Sequence, residues 1–150
     1  MRKHPIARRP DVPVEPLTVL CLSPIDEDHM CLQTIIGHTK WKMFSARDLP
    51  TALALIRKHH IAVVLCEREL QKETWFDLIE NVNTIPESPS VIVASRMADE
   101  HLWAEALNVG AWDVLAKPFD KVEVIRSVQA AWQRWYDQLD SMAEMNTMQT

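Results

Sequence analysis

A chain of 150 residues with 16 lysines and arginines against 21 aspartates and glutamates carries a formal net charge of -5. That balance repels phosphate backbones and, with no finger or zipper spacing, argues against nucleic-acid binding. No apolar run approaches the roughly eighteen residues of a membrane span, and the basic start, Met1 to Arg9, lacks the apolar stretch of a secretion signal, so a soluble cytoplasmic chain is expected. Of the three cysteines, Cys21 and Cys66 sit inside apolar runs and Cys31 has no partner at ligand spacing, which favours reduced thiols over a disulfide framework or a zinc site.

Residues 1–16 hold Arg2, Lys3, Arg8 and Arg9 among Pro5, Pro10, Pro13 and Pro16, the composition of a disordered tail. Leu17 to Leu22 is an apolar run stopped by Ser23 and Pro24, and it reads as a first strand. Asp26, Glu27 and Asp28 then crowd the first turn of a helix expected to turn Met30, Leu32, Ile35 and Ile36 inward and to end near Gly37. Trp41 to Ala46 reads as the second strand. Asp48 caps a helix with Pro50 in its first turn and Ala52, Leu53, Leu55 and Ile56 as its inner stripe, ending at His59 or His60.

Ile61 to Glu67 is a β-branched apolar run without polar alternation, too short for a helix, and marks a central strand covered on both faces. It ends on a carboxylate, at the sheet edge where open α/β folds bind ligands. Thr74 caps a helix over residues 75–82, Ser90 to Ser95 is a fourth strand, and Asp99 opens a helix bearing Leu102, Trp103, Ala106 and Leu107 that Gly110 terminates. Asp113 to Ala116 is a fifth strand. Asp120 and Glu123 form a capping-box pattern before a last helix expected to run from about Lys121 to Asp140, with 141–150 as a second disordered tail. Five strands alternating with five helices predict one α/β domain over 17–140, a parallel sheet with helices on both faces.

Two glycines, Gly37 and Gly110, leave no room for a dinucleotide or phosphate-loop motif. Neighbouring His59 and His60 cannot face one metal together, and His29, His38 and His101 are dispersed, so neither cofactor nor metal is expected. The last helix carries Val122, Ile125, Val128, Trp132, Trp135 and Leu139 at seam spacing. Trp132, Trp135, Tyr136 and Leu139 are expected to overrun the sheet edge, where large apolar groups need cover.

Three stretches carry a resemblance: Gly110 to Asp120 (GAWDVLAKPFD), Ala46 to Leu53, and Val63 to Leu70. In register, they resemble the receiver domain of two-component response regulators over roughly Leu17 to Tyr136. The resemblance implies a flavodoxin-like, doubly wound sheet ordered 2-1-3-4-5 and a phosphoryl site at the carboxyl ends of its strands. It puts the phosphoacceptor position at Glu67, the magnesium-holding acidic pair at Ser23 and Pro24, the hydroxyl residue at Ser95, the lysine at Lys117 and the aromatic switch at Val114. It also implies a cis peptide bond before Pro118, and a dimer through helix four, strand five and helix five, which Trp103 and Trp112 would join.

Here the chain departs from the pattern. Magnesium demands hard oxygen ligands, which proline lacks and serine offers only as a neutral hydroxyl. A glutamate carries its carboxylate roughly 1.5 Å beyond an aspartate's, out of line for phosphoryl transfer. Arg96 stands where the family places a small residue. A closed ion pair is therefore expected, Arg96 and Lys117 neutralising Glu67 in place of a metal, or else Lys117 alone with Arg96 in solvent. Asp26, Glu27 and Asp28, the only acids near the lost pair, are expected to face solvent.

The chain thus reads as a degenerate receiver, without cofactor or enzymatic activity. It would work by contact with a sensor kinase or a downstream effector, with homodimerisation as a further option, and with neither nucleic acid nor membrane as partner. The alternatives are a working phosphorelay receiver that uses Glu67 as acceptor, and a flavodoxin-like small-molecule binder or enzyme.

Overall fold

The computed structural model describes residues 17–148, with side chains through Met145. Five strands, β1 (Thr18–Leu22), β2 (Lys42–Ala46), β3 (Val63–Glu67), β4 (Ser90–Ser95) and β5 (Asp113–Ala116), form one parallel sheet in the order β2-β1-β3-β4-β5. The helices are α1 (Asp26–Ile36), α2 (Leu49–Lys58), α3 (Trp75–Val82), α4 (Glu100–Asn108) and α5 (Lys121–Met148). The flavodoxin-like fold and strand order follow the sequence expectation. The expected tail over 1–16 lies outside the described residues.

Burial explains the topology. β1, β3 and β4 are buried at every position, while the edge strands β2 and β5 are only partly covered. Alternate residues of the inner strands serve two cores. Leu20, Val64, Val91 and Val93 face α2, α3 and α4, packing with Leu53, Leu78 and Leu102. Val19, Cys21, Val63, Leu65 and Ile92 face α1 and α5, packing with Leu32, Ile36, Val128 and Trp135.

Side chains close the helix starts. Asp48 accepts from the Thr51 amide at 2.8 Å, Asp99 from that of Leu102 at 2.9 Å and Asp120 from that of Glu123 at 3.0 Å. Thr74 and Asp77 exchange bonds with each other's backbone as a capping box. Gly110, at φ +115°, ends α4 in a conformation that disfavours any side chain.

Three expectations fail. Met30 is exposed, and Asp28 and His29 take the inward positions of α1 ahead of Leu32. The buried stripe of α5 is Val124, Val128, Ala131, Trp135 and Leu139, while Val122 stands in solvent. α5 also runs through Met148 rather than ending near Asp140, so the region expected to be a second tail is helical as far as it is described.

Candidate functional site: a buried ion cluster at the carboxyl edge of the sheet

Strand alternation aims three polar side chains at one place. Cys21, Leu65 and Leu115 all face the α1 and α5 side, and two residues beyond each, on that same side, come Ser23, Glu67 and Lys117. The helix brings a fourth. Asp28 lies four residues before Leu32 and seven before Ile35, so it continues the inward stripe of α1 up to the sheet edge.

These four form a single hydrogen-bonded cluster, all of it buried. The Lys117 ammonium donates to Asp28 Oδ2 at 2.7 Å and pairs with Glu67 Oε1. Ser23 Oγ donates to the same Asp28 oxygen at 2.7 Å and accepts from the Ile25 amide at 3.0 Å. Glu67 Oε2 accepts from the Glu69 amide at 2.9 Å. Burial by itself would lower the pKa of Lys117, but its hydrogen bonds to Asp28 and Glu67 and their negative charges outweigh that, and the ammonium is held above its usual range. The peptide bond from Lys117 to Pro118 is cis.

Around the cluster, His29 Nε2 donates to the Ser23 carbonyl at 2.8 Å, leaving Nδ1 buried without a hydrogen-bond partner. Burial pushes the Cys21 thiol up to about 12, with the Asp28 charge adding to it, and raises Cys66 further. On the rim, Asp26 pairs with Arg47 after β2, and Glu27 pairs with Arg96 after β4 at 3.3 Å.

The sequence-derived positions divide accordingly. Glu67 and Lys117 meet, and Ser23 joins them by way of Asp28; Pro24 contributes no polar side chain. Arg96 does not reach Glu67 but lies in the exposed pair with Glu27, because Asp28 supplies the second buried charge that meets Lys117. Ser95 is buried and its hydroxyl accepts from the Met97 amide at 2.9 Å, so it serves the turn after β4. Val114 is half-buried on β5. Sequence reasoning missed Asp28 by assigning the whole first turn of α1 to solvent; its spacing from Leu32 and Ile35 was the available signal.

The expected aromatic surface also divides. Trp135 and Leu139 are buried in the chain's own core, and the Trp135 ring nitrogen donates to the Glu87 carbonyl at 3.3 Å. Trp132 and Tyr136 pack against each other with centroids 5.5 Å apart, both half-buried. Trp112 lies under the Arg134 guanidinium, and Trp103 is 50% exposed.

The cluster does not suit a divalent cation. An ammonium already lies between the two carboxylates, and among the described residues no three histidine, cysteine or acidic side chains gather where they could hold a metal ion. What remains is an electrostatic centre with its counter-charge built in.

An α/β sheet of this order, with acidic groups and a lysine at the carboxyl ends of β3 and β5, defines the receiver class. The model of the response regulator receiver domain matches residues 25–129, and the chain belongs to that family. Solved structures agree on the fold. The signal receiver domain of an HD domain-containing protein from Pseudomonas fluorescens Pf-5 is 21% identical with a TM-score of 0.74, covering 82% of this chain and 99% of its own. The Francisella response regulator 1452 receiver domain is 22% identical with a TM-score of 0.71, over 79% and 98%. A response regulator from Thermotoga maritima is 18% identical with a TM-score of 0.72, over 79% and 99%.

Proposed function

We propose that this receiver domain acts in signal transduction without accepting phosphate: Glu67 stands at the acceptor position, permanently neutralised by Lys117, and the domain works through protein contacts with a sensor kinase or a downstream effector. The observation that carries this reading is the Lys117 bridge from Glu67 to Asp28, which puts a chain-borne cation between the two buried acids. A phosphoryl group arriving at Glu67 would have to break that bridge inside a closed site. It would also have to use a carboxylate one methylene too long and already bonded to the Glu69 amide.

The contact surface in this reading is the face of α4, β5 and α5. A groove of about 500 Å³ lies there, with Trp103, Trp112 and Val114 as its apolar wall and Glu123 and Arg126 as its charged one. Three free cysteines, two of them buried, suit a reducing cytoplasm as the place of action.

The test is incubation of the protein with acetyl phosphate and magnesium, followed by intact-mass measurement. An unmodified mass is the expected result. A phosphoryl adduct mapping to Glu67 would overturn the proposal in favour of a working phosphorelay receiver.

A further inference from the structure

A second groove, of about 630 Å³, opens at the opposite edge of the sheet, between the loop before β4 and the later turns of α5. Its apolar lining is Ile85, Pro86, Trp135, Leu139 and Met142, and two carboxylates, Glu87 and Asp137, stand among them. The one guanidinium in the lining, Arg134, is engaged elsewhere, stacked 5.6 Å over the Trp112 ring and 3.4 Å from Ser90 Oγ. His60 Nδ1 approaches Glu87 at 3.7 Å from outside the lining. Nothing in the receiver reading uses this groove, which lies at the far end of the strands from Glu67.

The path of the chain points to an occupant. The strands are parallel, so β1 and β4 begin at the same edge, and the edge is stitched across: the Ala62 amide donates to the Thr18 carbonyl and the Ser90 amide to the Ala62 carbonyl. Leu17, through which the chain enters β1, lies in the same buried cluster as Trp135 and Leu139. With strands about 4.8 Å apart and β3 alone between β1 and β4, Leu17 stands on the order of 10 Å from the groove. The sixteen residues before Leu17 span up to about 50 Å when extended, far more than the distance requires. Their chemistry is complementary: Arg2, Lys3, Arg8 and Arg9 precede the first acid, Asp11, and Pro5, Ile6 and Pro10 are interleaved with them.

We propose that the groove formed by Ile85–Ser88 and the Arg134–Met142 stretch of α5 binds the chain's own segment 1–16, with arginines of that segment meeting Glu87 and Asp137 and its apolar residues covering the exposed Pro86 and Met142. Proline rings suit such a surface because their backbone loses little freedom on docking. Opposite charge gives the contact a salt dependence that apolar packing alone would lack.

The full-length chain tests this by limited trypsin digestion read by intact mass. Cleavage after Lys3 and Arg8 should run at least fivefold faster in Glu87→Lys/Asp137→Lys, and in the native chain at high salt, than in the native chain at low salt. Equal rates would overturn the proposal. Should the groove variant unfold, Arg8→Glu/Arg9→Glu leaves the groove residues themselves unaltered. Hydrogen exchange over 85–88 and 134–142 should accelerate in it, and unchanged exchange would sink the idea. Protection that grows with protein concentration would assign the groove to a neighbouring molecule's segment and overturn the intramolecular form.

Discussion

Lys117 is the residue whose loss is most costly, because it leaves two buried carboxylates facing each other. Lys117→Met should destabilise the fold by about 3–5 kcal/mol in chemical denaturation. Glu67→Gln should cost less, since the amide oxygen still accepts and Asp28 still meets the ammonium. The pH dependence has a definite sign. A lysine whose folded-state pKa is raised contributes its full stabilisation below its unfolded value of about 10.4, and that contribution disappears as pH climbs through the folded value. Melting temperatures between pH 7 and 9 should therefore not report Lys117, whereas at higher pH the native chain should lose stability that Lys117→Met no longer has to lose. With both buried thiols raised, a brief alkylation at pH 8 should modify Cys31 and spare Cys21 and Cys66, as peptide mapping would read. At this scale the sequence was half legible. Glu67 was legible as the end of the central strand, and Ser23 and Lys117 through the family resemblance; Asp28 was passed over because an acid in a first helical turn looks like a helix-dipole acid unless its spacing from Leu32 and Ile35 is weighed.

The first turn of α1 works as a clasp between elements. Its three consecutive acids point three ways: Asp26 to the turn before α2, Glu27 to the loop after β4, and Asp28 to the end of β5. The two rim pairs are solvent-exposed, so Arg47→Ala and Arg96→Ala should each cost under about 1 kcal/mol. Ser23→Ala removes a buried hydrogen bond to a charged oxygen and should cost about 1.5–3 kcal/mol, a contrast readable in the same urea titrations. The caps of α2 and α4 add an acid limb. Amide hydrogen bonds lower the pKa of Asp48 and Asp99, so their contribution is present above the unfolded value and fades as pH falls through the folded one. Helix boundaries were readable where such caps stand, at Asp48, Thr74, Asp99 and Asp120. The inward face of α5 was not. Large apolar residues suggested Val122, Ile125 and Trp132, but the helix rests on the sheet through Val124, Val128 and Ala131, whose small side chains allow close approach, with Ser90 Oγ bonded to the Ala131 carbonyl at 3.1 Å.

For the molecule as a whole, alternating hydrophobic runs made the parallel sheet with helices on both faces legible, since β1, β3 and β4 need cover on both sides, while the strand order came from the family resemblance. Its surfaces were less so. Trp135 and Leu139 resemble interface residues in sequence because nothing local reveals that the loop before β4 folds under them. What α4, β5 and α5 leave exposed is Trp103 beside the half-buried Trp112 and Val114. If that face self-associates, light scattering at high micromolar concentration should report a dimer that Trp103→Glu dissolves, and a monomer under those conditions would reject a homodimer. The bridge between Asp28 and Glu67 bears on how such a molecule responds to its surroundings. Because the cation is tethered to the end of β5 by its own aliphatic stem, dilution does not release it and no chelator can strip it. The melting curve in EDTA should overlay that in millimolar magnesium, because the charge that balances Asp28 and Glu67 is part of the chain itself.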